Sequence, residues 1–215
     1  QGEEENSDEF SKQLSELGDI FVNDAFAVSH RKEASIYGVT KYLPSFAGLH
    51  LTKEIEKLEN LLKDPERPLV VVVGGAKIET KLPLVERMHQ LADYVLVGGE
   101  IAEQDRILIK VQHEKSQKKS ILFVADNKEN KKDITEKSVE NFIQVLKVAK
   151  TIIWNGTMGE IGKEKADEEG TVKIAEAITK SHAFKVVGGG DTVAFLRKLN
   201  LLDKFNFVST GGGAM

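Results

Sequence analysis

Twelve of the 18 glycines fall into five short clusters: Gly74-Gly75, Gly98-Gly99, Gly156 with Gly159, Gly188-Gly189-Gly190, and Gly211-Gly212-Gly213. A glycine turn lets a ligand approach main-chain N–H groups with no Cβ in the way, and it accepts positive φ. Where a helix begins after the turn, its free N–H groups and positive dipole end favour an anion, phosphate above all. One such turn is often only a tight turn; five in one chain point to a phosphate-rich ligand. Lys77 and Lys81 lie four apart after Gly74-Gly75, a spacing that puts both ammoniums on one helix face, either within reach of successive phosphates or simply in solvent. Asp191, between Gly190 and Thr192, is either a carboxylate for Mg²⁺ carried on a nucleotide phosphate or an N-cap.

Other chemistries find less support. The P-loop pattern is absent, and Gly188-Gly189-Gly190-Asp191-Thr192 continues with Val193 where a dinucleotide fingerprint needs its last glycine. The five histidines, His30, His50, His89, His113 and His182, show no metal-ligand spacing, and there is no cysteine for thiolate catalysis, disulfides or thiolate-bound metal. The charge runs Glu3 to Glu5 and Lys163 to Glu169 read as solvated faces, and Trp154 as a core residue.

The glycine clusters need strands to position them, and the pattern supplies these. Leu69 to Val73 is an unbroken aliphatic run between Pro68 and Gly74, which predicts a strand buried on both faces. Further strands are expected at 94–97, 121–125, 151–154, 185–187 and 205–208. Apolar residues at helical spacing predict helices over 51–62, 78–92, 139–149, 172–178 and 192–199. This alternation is the signature of an α/β fold with a doubly wound parallel sheet, in which turns after the strands share one edge, where ligands bind. The first fifty residues differ. They give an acidic amphipathic helix at 10–17, a strand at 19–22 and a loop-rich stretch through Gly48, read as part of another domain.

Composition agrees with an ordinary globular protein: 215 residues, 30 Lys plus Arg against 34 Asp plus Glu, and 40% hydrophobic residues. A net charge of -4 with no basic stripe gives no grip on nucleic acid. No apolar run approaches the roughly 20 residues of a membrane helix, so neither nucleic acid nor membrane is an expected partner, and a cytoplasmic setting is. Gln1 and Met215 do not look like natural ends, and a fragment of a longer chain is expected.

Taken in order, Phe21-Val22-Asn23-Asp24-Ala25-Phe26 with His30-Arg31, Gly74-Gly75-Ala76-Lys77 with Lys81, Trp154-Asn155-Gly156, Gly188-Gly189-Gly190-Asp191-Thr192 and Ser209-Thr210-Gly211-Gly212-Gly213-Ala214 resemble phosphoglycerate kinases. The resemblance implies two doubly wound domains closing about a hinge. Residues 1–50 would be the end of the phosphoglycerate-binding domain, 51–66 a connecting helix, 67–208 the nucleotide domain, and 209–215 a glycine-rich helix start. It also implies a monomer that uses Mg-ATP or Mg-ADP and interconverts 1,3-bisphosphoglycerate and 3-phosphoglycerate. A nucleotide-binding remnant without turnover is the alternative.

Carried over by position, the resemblance makes Arg31 a ligand of phosphoglycerate and sets Lys77 at the transferring phosphoryl group. Lys81, Asn155, Thr192 and the amides of Gly188, Gly189 and Gly190 would hold nucleotide phosphates, and Asp191 the Mg²⁺. Gly212 and Gly213 would face the transferred group, Gly74, Gly75, Gly98 and Gly99 would flank the adenosine, and Glu164 is the candidate for the ribose. The chain departs from the family at Thr157, Thr135 and Ala27, which stand where proline, glycine and glycine are usual, and in a shortened stretch between Gly99 and Asp133. In the family, a further third of chain, with its substrate histidine and several arginines, stands ahead of the residues that match Gln1.

Overall fold

The structure, a computed structural model, describes residues 1–76, 85, 87–104 and 120–215. They divide into two units, Gln1–Lys63 with Thr210–Met215, and Asp64–Ser209.

In the first unit, Ser7 starts the helix Asp8–Ser15 by accepting the Phe10 N–H at 3.4 Å, and Asp8 and Glu9 complement the dipole in its first turn. Strand β1 (Phe21–Asn23) pairs in parallel with β2 (Ser45–Ala47), Phe21 opposite Ser45. The loop-rich reading of this stretch therefore missed a strand. The exposed Ser-Phe-Ala of β2 has no apolar alternation, and its conformation comes from the ladder that β1 offers. The helix Leu49–Lys63 receives its cap from a distant residue, because Asp24 Oδ1 accepts the His50 and Leu51 N–H groups at 2.6 and 2.9 Å. A Cβ at position 48 would lie 2.4 Å from that oxygen, so only glycine fits there.

The second unit is built on six parallel strands: β3 (Leu69–Val73), β4 (Tyr94–Val97), β5 (Ile121–Val124), β6 (Thr151–Asn155), β7 (Phe184–Gly188) and β8 (Phe207–Val208). Every residue of β3 and β6 is buried, as expected of parallel strands covered on both faces. Val70, Val72, Ile152 and Trp154 belong to one core with Val139, Phe142 and Leu146 of the helix Glu136–Val148 and Ile174 and Ile178 of the helix Lys165–Lys180. The last strand is shorter than expected. A 3₁₀ turn at Leu202–Lys204 and the packing of Phe205 on Trp154, with ring centroids 6.4 Å apart, delay its start to Phe207. Of the expected helix over 78–92, residues 78–84 and 86 lie outside the described residues; 87–91 are helical, and Val85, Met88 and Ala92 are buried. Among the described residues no helix is long and apolar enough to cross a membrane.

Strand order β5-β4-β3-β6-β7-β8 is what positions a site. The chain moves outward from β3 through β4 to β5, then restarts at β6 on the other side of β3. At such a reversal the connections leave in opposite directions, which opens a crevice at the carboxyl ends of the two central strands. Val73 and Asn155, the last residues of β3 and β6, are register partners, so their turns emerge level with each other.

Candidate functional site

A cavity of about 840 Å³ opens at that reversal, lined by Gly75, Ala76, Gly99, Thr157 and Gly159 from the turns after β3, β4 and β6, and by Asp191, Ala194, Phe195 and Lys198 of the helix Gly190–Lys198. Glu100, Lys131, Lys132, Glu160 and Ile161 complete the wall. A second cavity, of about 750 Å³, lies between the C-terminal parts of the helices Glu136–Val148 and Lys165–Lys180. Its residues Lys150 and His182 precede β6 and β7, at the edge opposite the glycine turns.

The glycines of the turns along this edge do two different jobs. Gly156, at φ 101°, sits where a Cβ would come 1.9 Å from the Gly74 carbonyl oxygen, and a Cβ on Gly99 would come 2.7 Å from the Gly75 nitrogen. The turns after β3, β4 and β6 thus touch backbone to backbone, and the Gly75 N–H donates to the Thr157 carbonyl at 2.8 Å. Gly190 is the contrast, because a Cβ there would meet nothing within 4 Å. Open space beside a main-chain N–H at a helix start suits a phosphate oxygen.

The side chains converge on the same place. Asn155 ends β6 and is 1% exposed, and its Oδ1 would lie 2.9 Å from a Cβ on Gly189. Thr192 is fully buried, and its hydroxyl accepts the Gly156 N–H at 3.0 Å, which clamps the turn after β6 to the helix Gly190–Lys198. The helix is capped by Gly189, at φ 91°, so the N-cap alternative for Asp191 does not hold; its carboxylate is exposed and lines the cavity. Glu160 pairs with Lys163, whose ammonium that carboxylate holds above the ordinary lysine range. Lys77 and Lys81 lie outside the described residues.

A family model for phosphoglycerate kinase matches residues 1–120 and 103–215, the whole chain. The chain belongs to the phosphoglycerate kinase family. It is 38% identical over 254 residues to a phosphoglycerate kinase of Leptospira biflexa, covering 99% of this chain and 64% of that one. With the Francisella philomiragia enzyme it shares 38% identity over 256 residues, 99% and 65% of the two lengths. Among solved structures it resembles phosphoglycerate kinase from Coxiella burnetii, with TM-score 0.77 and 35% identity over 100% of this chain and 66% of that one. The Pyrococcus horikoshii enzyme gives TM-score 0.73 and 30% identity, at 94% and 61%. The chain therefore spans just under two thirds of the length of these relatives.

The departures from the family pattern have local explanations. Thr135 caps the helix Glu136–Val148 at φ -68°, its hydroxyl accepting the Ser138 N–H, so nothing there calls for glycine. Thr157 keeps its turn closed by donating its hydroxyl to the Gly159 carbonyl at 2.9 Å. Ala27 sits inside the 3₁₀ turn Phe26–Val28. Glu164 precedes the helix Lys165–Lys180 without capping it, and it is not among the residues lining the cavity, whereas Glu160 is. Lys131 and Lys132 have no signal in the sequence, because a polar loop residue carries no pattern telling which wall it will form, and the resemblance aligns ambiguously over Glu160 to Glu169, which leaves Glu160 and Glu164 undistinguished. In the first unit, Gly211 and Gly213 pack on the motif around Arg31, their Cβ positions falling 2.5 Å from the Phe26 ring and 2.8 Å from His30 Nε2, while Gly212 faces open space. Arg31 itself is half exposed and bonds Glu33 at 3.1 Å.

Proposed function

We propose that the Asp64–Ser209 unit binds Mg-ADP or Mg-ATP in the cavity at the β3/β6 reversal, and that the protein moves a phosphoryl group between 1,3-bisphosphoglycerate and ADP, giving 3-phosphoglycerate and ATP. The convergence of the glycine turns after β3, β4 and β6 on one cavity, with Asp191 of the helix after β7 on its wall, carries this reading. The acyl phosphate leaves as a carboxylate, a weak base, so transfer needs positioning and charge stabilisation more than acid–base help. Lys77 is assigned to the transferring group and Lys81 to the nucleotide phosphates. Asn155, Thr192 and the amides of Gly188 to Gly190 shape the phosphate cradle, with Gly74, Gly75, Gly98 and Gly99 beside the adenosine. Arg31, Gly212 and Gly213 serve the phosphoglycerate side.

The donor set fits Mg²⁺. Among the described residues no cluster of three His, Cys, Asp or Glu side chains could hold an ion, and Mg²⁺ in such sites rests on one carboxylate plus phosphates and water, which Asp191 can provide. When bound, the ion would neutralise charge on the phosphate oxygens. Glu160 takes precedence over Glu164 as the carboxylate for the ribose, because it lines the cavity. The reading carries with it a monomer in the cytoplasm.

The second reading, nucleotide binding without turnover, applies to these 215 residues taken alone, which span just under two thirds of the relatives' length. Titration calorimetry with Mg-ADP and a coupled assay with 3-phosphoglycerate and ATP separate the two. Saturable ADP binding is expected under both, and turnover only under the first. A folded sample that binds no nucleotide would sink both.

A further inference from the structure

Two carboxylates closed to any ligand stand behind the cavity wall. Asp133 and Asp167 are each 1% exposed. Asp133 Oδ2 accepts the Gly170 N–H at 2.8 Å and lies 3.1 Å from Lys128 Nζ, and Oδ1 accepts the Ile134 N–H at 2.9 Å. Lys128 continues to the Ala166 carbonyl at 2.8 Å and the Glu169 carboxylate at 3.3 Å. Asp167 Oδ1 accepts from Asn130 Nδ2 at 3.1 Å, and its Oδ2 stands 3.5 Å from Lys132 Nζ. Both carboxylates join the loop 127–134 to the start of the helix Lys165–Lys180.

The turn that walls the cavity is trapped between them. A Cβ on Gly159 would lie 2.1 Å from the Asp167 carbonyl oxygen and 2.6 Å from Asp133 Oδ1. Thr171 Oγ1 accepts the Met158 and Gly159 N–H groups at 3.0 and 3.2 Å, and the Glu160 N–H donates to the Lys132 carbonyl at 2.7 Å. Lys131, in the same loop and on the cavity wall, is held at φ 57°, a strained conformation for lysine that persists only where its surroundings dictate it. Apolar contacts would join a loop to a helix without the desolvation cost of two buried carboxylates. What such groups add is a single permitted register.

We propose that Asp133 and Asp167 are positioning residues of the nucleotide cavity: they lock the turn 159–161 to the loop 127–134 and thereby set the placement of Glu160, Lys131 and Lys132. This rests on the nucleotide reading of the cavity. Asn130→Ala tests it, because Asn130 is exposed, does not line the cavity, and supplies the hydrogen bond to Asp167. Its loss should raise the Kd for Mg-ADP about fivefold to tenfold, of the order of one ordinary net hydrogen bond. The Glu160 amide should exchange its hydrogen faster, while circular dichroism stays that of the wild type. Lys173→Ala, which breaks the 2.5 Å pair that ties the same helix Lys165–Lys180 to Glu136 of the helix Glu136–Val148 away from the wall, should change neither readout. Unchanged Kd and unchanged Glu160 exchange in Asn130→Ala would overturn the proposal. A wild type that fails to bind ADP would instead overturn the nucleotide reading, and the exchange measurement would still decide whether Asp167 positions the turn.

Discussion

A single oxygen of the Glu54 carboxylate accepts both donors of Thr210, the backbone N–H at 2.7 Å and the hydroxyl at 2.8 Å. Glu54 is 2% exposed, and its other oxygen has no partner among the described residues. His50 Nε2, one helical turn earlier, stands 3.1 Å from the same hydroxyl. Thr210→Val removes one donor from a buried carboxylate and should cost about 2 kcal/mol of stability. Combined with Glu54→Ala, it should cost clearly less than the sum of the two single changes, as residues in contact do. Denaturant unfolding of the four proteins measures this, and strict additivity would mean that the pair is not coupled.

Two glycine substitutions separate folding from binding. Gly156→Ala would drive a methyl to 1.9 Å from the Gly74 carbonyl at a positive φ, and should destabilise by more than about 3 kcal/mol through backbone strain and a clash that no rotamer relieves. Gly190→Ala has open space and a helical position, so stability should hold or rise by up to about 1 kcal/mol. Its ADP affinity should fall nonetheless, since the methyl stands where a phosphate would approach. A Gly190→Ala protein with wild-type ADP affinity would move the phosphates away from that helix start.

Asp191→Asn should leave stability within about 0.5 kcal/mol, as exposed substitutions generally do, yet remove most of the dependence of ADP affinity on Mg²⁺. Calorimetry with and without Mg²⁺ reads this directly. Persistence of the full Mg²⁺ effect would show that the ion does not use Asp191.

Asp133 carries a pH signature. Burial pushes its carboxyl above the ordinary value of 3.8, against the opposing pull of the Gly170 N–H, the Lys128 ammonium and the Ile134 N–H. A raised acid favours the protonated folded state, so its contribution to stability is complete below 3.8 and is lost as pH rises through the folded-state value. Asp133→Asn cannot titrate. The stability of the wild type relative to this variant should therefore decline as pH climbs from below 3.8 through the weakly acidic range. Unfolding curves measured across that range test the sign, and a relative stability that rises with pH would refute it.

The legible parts of the fold were those set by local chemistry. Leu69 to Val73 announces a strand because nothing polar interrupts it, and Val139, Phe142 and Leu146 announce a helix because their spacing matches its turn. β2 was hidden because Ser45-Phe46-Ala47 is a strand only by virtue of β1, and the cap on Leu49–Lys63 because Asp24 reaches it through space rather than sequence. In the site, the glycine turns stood out since no other residue fits them. Thr192 was read as a phosphate ligand, but the feature the fold adds, its grip on the Gly156 N–H, belongs to the meeting of two turns. The solvated-face reading of Lys163 to Glu169 fails at Asp167, which is 1% exposed, as is Asp133; a buried aspartate looks in sequence like any solvated one.

The division of the chain has a consequence for synthesis. Asp64–Ser209 is one continuous stretch, whereas the other unit needs both Gln1–Lys63 and Thr210–Met215. On the ribosome the six-stranded sheet can assemble as soon as β8 clears the exit tunnel, while Glu54, made 156 positions before its partner Thr210, stays hydrated and waits. Domains usually settle in the order in which they are made; here Glu54 precedes the six-stranded sheet in the chain but meets its partner Thr210 only after it. A chain truncated after Ser209 keeps all six strands of the sheet and leaves the Glu54 carboxylate without both donors of Thr210, a species whose unfolding would separate the two units.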